Sequence, residues 1–113
     1  GIQSVESLLK QGATPAGRRE IETMTEISHE SILDWVNRAD LMRVKGIGEE
    51  YSDLLEKAGV DTVMELARRN PENLYAKILE INEEKHLVRR PPSLNLVKRW
   101  IEQAQNLPRV VSY

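Results

Sequence analysis

The sequence predicts an all-α fold of about seven short helices with no sheet, and three observations carry that expectation. Apolar residues recur in several windows at the i, i+3, i+4, i+7 spacing of one helical stripe. Strand-favouring runs of aromatic and β-branched residues are missing, while Leu, Glu, Ala, Arg and Lys abound. Capping residues and prolines stand just ahead of the periodic segments. Aromatics make up 4% of the chain, with no Phe, so the core is expected to be aliphatic.

The elements follow in order. Ser4 can cap a first helix with Val5, Leu8 and Leu9 on one face, and Gly12 closes it with left-handed backbone. Thr14-Pro15 opens a second, with proline at its first turn and Ile21 and Met24 turned inward as far as about Thr25. Ser28 caps a third, on which Ile32, Trp35, Val36 and Ala39 form a buried stripe. Asp40 is expected to cap a further short turn through Leu41 and Val44. After Gly46-Ile47-Gly48, the residues Tyr51, Leu54, Leu55 and Ala58 mark one helical face that ends at Gly59. Asp61 or Thr62 caps a short helix bearing Val63, Leu66 and Ala67. Asn70-Pro71-Glu72 opens the next, with Leu74, Ile78, Ile81 and Val88 inward until Pro91-Pro92 stops it. Ser93 caps the last, through about Leu107.

The chain of 113 residues is expected to form one domain, 1–113, of two tandem repeats. The stretch from Gly1 to Leu9 reads like that from Gly59 to Ala67, at an offset of 58. Ser28, Ile32, Trp35, Val36 and Ala39 are answered by Ser93, Val97, Trp100, Ile101 and Ala104, at an offset of 65. The difference implies about seven extra residues between these anchors in the second copy, in a helix or its flanking loop. Leu41-Met42-Arg43-Val44 answers to Leu107-Pro108-Arg109-Val110. On this reading 1–43 is a first repeat lacking its upstream hairpin, and 44–113 is a second repeat that contains one. A longer parent protein is inferred, and the uncovered Val5, Leu8 and Leu9 are expected to favour self-association.

In Leu41-Met42-Arg43-Val44-Lys45-Gly46-Ile47-Gly48-Glu49-Glu50-Tyr51-Ser52-Asp53-Leu54-Leu55, apolar residues flank a glycine turn and a small Ser52 follows at close helix contact. Glycines let the backbone turn tightly, Ile47 plugs between two helices, and free N–H groups at the start of the second helix can hold a phosphate. The segment resembles the helix-hairpin-helix signature, and the resemblance implies a SAM-like arrangement of packed hairpins. In DNA-binding members of that superfamily the hairpin grips backbone phosphates, often with a monovalent cation on nearby carbonyls. Such contacts carry no base sequence information. The whole chain resembles a bacterial tandem-hairpin family catalogued as domain of unknown function 4332. The matching stretches are Trp35 to Arg43, Gly46 to Tyr51, Arg69 to Leu74 and Leu107 to Tyr113. One departure is Thr25-Glu26-Ile27-Ser28, where a first-repeat hairpin would carry glycine before the apolar plug.

Candidate phosphate-binding residues are therefore Arg43, Lys45, Gly46, Ile47 and Gly48. Glu49 and Glu50 stand in the first turn of the helix that follows, where they satisfy its dipole and repel an incoming phosphate, so pure helix packing is the competing account. Lys85, Arg89 and Arg90, with His86, form a candidate basic patch, set against an ordinary solvated helix end. Arg18-Arg19 and Arg68-Arg69 could extend it. Trp35 and Trp100, at equivalent repeat positions, are expected to be core anchors rather than base-stacking platforms.

Composition narrows the class. Sixteen Lys and Arg against eighteen Asp and Glu give a net charge of −2, so nucleic-acid binding would have to be local. The chain has no Cys, which fits a reducing, cytoplasmic compartment. The apolar stretches are too short to span a bilayer, so no membrane role is expected. His29 and His86 lie far apart with no ligand-spaced acids beside them, and nothing suggests a nucleophilic triad or paired-acid cleft. No metal, no cofactor and no enzymatic activity are expected. The sequence leads to a non-catalytic module that binds a macromolecule, nucleic-acid backbone first, with a protein-interaction or scaffold module as the alternative.

Overall fold

The computed structural model describes residues 5–113, and the cap expected at Ser4 lies outside them. Among the described residues there are seven helices and no strands. They are α1 (Val5–Gly12), α2 (Pro15–Thr25), α3 (His29–Leu41), α4 (Glu49–Lys57), α5 (Val63–Ala67), α6 (Pro71–Lys85) and α7 (Leu94–Asn106). None is long and apolar enough to cross a membrane.

Two three-helix sets use the same start and stop devices in the same order. Thr14 and Asn70 cap α2 and α6 through their side chains, each with proline in the first turn. Both helices end on a left-handed residue other than glycine, Glu26 at φ 59° and His86 at φ 52°. Ser28 and Ser93 then cap α3 and α7 by accepting from Ser31 and Leu96 N–H. The extra length of the second set falls in two places. Helix α6 has 15 residues against 11 in α2, and residues 86–93 join α6 to α7 where only residues 26–28 join α2 to α3. Helix α6 was expected to run to Pro91-Pro92. It stops at His86 instead, because Asn82 bonds both the N–H and the C=O of Val88 and turns the chain away.

The second set and α4 enclose the larger core. Leu54, Leu55, Leu66, Leu74, Ile78, Val97 and Trp100 are all buried there, joined by Leu41 at the end of α3 and by Val44 and Ile47 from the α3–α4 connection. Helix α7 packs on α5 and α6, and α4 bridges α6 to α3. The first core is small: Ile21, Ile32 and Val36, with Leu8, Leu9 and Ile27 partly buried against it. Its fourth buried member, Val111, arrives from the other end of the chain. Residues 108–113 form a strap across α1–α3, where Ser112 N–H donates to Ala13 O at 2.7 Å and Tyr113 Oη donates to Asn37 Oδ1 at 2.9 Å. Arg18, expected on a surface stripe, is instead buried beneath the strap. It donates to Gly12 O at 2.8 Å and Ser112 O at 2.6 Å, with its guanidinium 5.6 Å from the Tyr113 ring centre.

Four further expectations are corrected. Trp35 is 44% exposed and Met24 67% exposed, so neither is a core residue. Asp40 does not cap a separate turn. It is buried inside the last turn of α3, where Oδ1 accepts from Arg43 at 2.8 Å and Oδ2 accepts from Val63 N–H at 2.9 Å. Gly12 closes α1 for space rather than conformation. Its φ is not positive, and a Cβ there would collide with the Val36 side chain of α3. Leu8 and Leu9 are not left uncovered but half-buried against the first core, with α2 and α3 packed on α1, and the side chain of Val5 lies outside the described residues.

Candidate phosphate-binding surface

The connection from α3 to α4 is a series of tight turns. Val44 N–H donates to Leu41 O at 3.0 Å and Ile47 N–H to Val44 O at 3.1 Å. Gly46 takes φ +98°, open to glycine and costly for any other residue, and a Cβ on it would lie 3.2 Å from Trp100 Nε1. Ile47 is buried in the second core, as its place between two glycines suggests. Gly48 is a different case, with φ −104° and no atom within 4 Å of where a Cβ would stand. Neither backbone strain nor internal packing demands glycine there. As the cap of α4, it offers no side-chain acceptor to the first-turn N–H groups.

The other hairpin candidates part company. Lys45 is exposed, and its peptide is gripped by Gln103 of α7, which accepts from Lys45 N–H at 3.1 Å. Arg43 does not join it. Its guanidinium turns the other way, ion-paired to Asp40 at 2.8 Å and donating to Pro108 O. It anchors the strap and lines a separate cavity with Arg68 and Arg109.

The basic-patch candidates also divide. Arg89 and Arg90 lie in the long α6–α7 connection, which returns to the first turn of α4. Tyr51 Oη donates to Arg90 O at 3.0 Å. Arg89, Arg90 and His86 line an open cavity of about 570 Å³ with Glu50 and Tyr51. Two stretches about forty residues apart in sequence thus meet at one surface. Lys85 is exposed on the last turn of α6 and does not line that cavity. Glu49 and Glu50 are both exposed on the same turn of α4 and lower its positive potential.

Trp100 supports the turn from beneath. It is 1% exposed, its ring centre lies 5.2 Å from that of Tyr51, and its Nε1 has no hydrogen-bond partner. The feature missed by sequence reading is the charge knot joining α3 to α4. Arg38 stands among Asp34 at 3.4 Å, Asp53 at 3.0 Å and Glu56 at 2.9 Å. Burial, followed by the neighbouring Asp34, raises the Glu56 carboxyl above its ordinary value. Asp34 and Arg38 are one helical turn apart, but their partners on α4 give no sequence signal.

The fold and this surface define an all-α domain built from short helices, with an uncapped helix start beside an arginine-bearing loop. The chain belongs to the family described as Domain of unknown function (DUF4332), whose model matches residues 1–107. No solved structure matches it.

Proposed function

We propose that this chain is a non-catalytic module of tandem helix-hairpin-helix repeats, from a cytoplasmic bacterial protein, that grips nucleic-acid backbone without reading base sequence. The observation that carries the reading is the seating of Arg89 and Arg90 beside the uncapped first turn of α4. Free N–H groups at a helix start, an open glycine that lets a backbone approach closely, and exposed cations alongside are the groups a phosphodiester needs. The matched caps and stops of α2–α3 and α6–α7 support the repeat reading. The long connection found only in the second set adds the two arginines.

Anisotropy of labelled single- and double-stranded DNA across a salt series tests it. Saturable binding that weakens steeply with salt is expected. The R89A/R90A double variant should lower the salt slope by about two, one for each lost phosphate contact. Gly48→Asp keeps a good helix cap but places a carboxylate where the phosphate would sit, and should weaken binding further. Absence of binding at low salt would overturn the reading. A protein-interaction module is then favoured by a separate observation, the exposure of Trp35 and Met24 on the first set.

A further inference from the structure

Where the strap crosses α5, a cavity of about 280 Å³ is lined by Arg43, Arg68, Arg109, Glu65, Thr62 and Tyr113. The DNA-binding reading makes no use of it. Its carboxylates are already engaged: Asp40 holds Arg43 and Val63 N–H, and Glu65 pairs with Arg69 at 3.1 Å. Two guanidiniums are left with little to do. Arg68 is exposed and makes no ion pair or side-chain hydrogen bond with any described residue. Arg109 donates only through Nε, to Val111 O at 3.0 Å, with its Cζ 5.9 Å from the Tyr113 ring centre. Asp61 and Asp40 also act on Tyr113 electrostatically, opposed by Arg18, whose guanidinium stands 5.6 Å from the ring centre, and by Arg109. Three arginines line the cavity against two carboxylates.

We propose that this cavity binds a small phosphate-class oxyanion, as inorganic phosphate or as the headgroup of a phosphomonoester. The free guanidinium forks come from two different elements, the end of α5 and the strap, while Arg43, held by Asp40 and Pro108 O, adds charge from the turn after α3. One fork saturates a planar carboxylate, whereas two forks from different directions suit a tetrahedral anion with three or four oxygens. Size limits the ligand too. Small-molecule sites begin at about 300 Å³, so this cavity takes a headgroup and leaves no room for a nucleotide. A bound anion would tie Arg109 on the strap to Arg68 on the second set, fastening the segment that completes the first core.

The test uses the whole chain with arginine Nε–Hε signals followed by NMR, titrated with inorganic phosphate and separately with glycerol 3-phosphate, chloride holding ionic strength constant. Saturable shifts confined to Arg43, Arg68 and Arg109 are expected, with a rise in Tm on saturation. Arg68→Gln, which touches nothing structural, should weaken binding by about tenfold or more. Arg109→Gln should do the same, and R89A/R90A should leave the affinity unchanged. The tighter of the two probes identifies the source of the phosphate. Absence of saturation by about 20 mM of either probe, affinity unaltered in both Arg68→Gln and Arg109→Gln, or loss of the response in R89A/R90A would overturn the proposal. DNA binding that persists in Arg68→Gln would separate this site from the surface beside α4.

Discussion

Trp35 and Trp100 occupy corresponding places in two stretches of sequence that read alike, yet one is 44% exposed and the other 1%. The difference lies in what covers each. Trp100 sits beneath the turn of Gly46 and against Tyr51, so α4 and its leading turn form a roof over α7. Helix α3 has no such roof among the described residues. Its set is closed by the strap, which inserts Val111 on another side. Like sequence gives like helices, and burial is decided by which further segment lies on top.

The largest expected effect follows directly. Trp100→Ala should cost about 3–5 kcal/mol, the usual loss for emptying a large aromatic site that cannot collapse. Trp35→Ala should stay within about 1 kcal/mol, since only its partly covered edge is lost. Chemical denaturation monitored by circular dichroism measures both, with the unaltered tryptophan as a local fluorescence reporter. Equal losses would break the comparison and mean that Trp35 is covered in solution.

The next test exchanges two turn residues. Gly46 precedes Ile47, and Glu26 precedes Ile27. Both first residues have positive φ, and both isoleucines pack on a core. Gly46→Ala should cost about 1–2 kcal/mol, from left-handed strain plus the approach to Trp100 Nε1. Glu26→Gly should gain about 0.5–1 kcal/mol, because the strain is already present there and its side chain is exposed. Gly48→Ala should move stability little in either direction, having ordinary φ and open space. A loss on Glu26→Gly would mean that the carboxylate holds a contact that offsets its backbone conformation.

What could be read in advance divides along the same line. Helix starts were legible because the signals are local: Thr14-Pro15, Ser28, Thr62, Asn70-Pro71 and Ser93 each cap the helix they precede. The stop at His86 was not, because a histidine in left-handed backbone carries none of glycine's signal and the Asn82–Val88 bonds that fix it span six residues. Ile47 could be assigned to the core from its flanking glycines. Arg43 was placed on the phosphate side by proximity in sequence, whereas its partner Pro108 is 65 residues away. Trp35 shows the limit of periodicity, which finds an apolar stripe but cannot say whether a neighbour will cover it.

The smallest effect concerns the joint where α4 leaves the first set for the second. Arg38 faces three carboxylates, and burial with Asp34 beside it raises the Glu56 pKa above the ordinary 4.5. A raised folded-state value means that the folded protein holds that proton more tightly than the unfolded chain. The resulting stability is full below about pH 4.5 and is lost as pH rises through the folded value. Glu56→Gln keeps the side chain neutral throughout and leaves Arg38 its pairs with Asp34 and Asp53. The variant should therefore gain on the native protein as pH rises from 4 to 7, by on the order of 1–2 °C in Tm at this partly solvated site. Melting curves at each pH measure the difference. A variant that instead loses ground over that range would show that the Arg38–Glu56 pair outweighs the crowding of acids, making the joint an attractive clasp between the two sets.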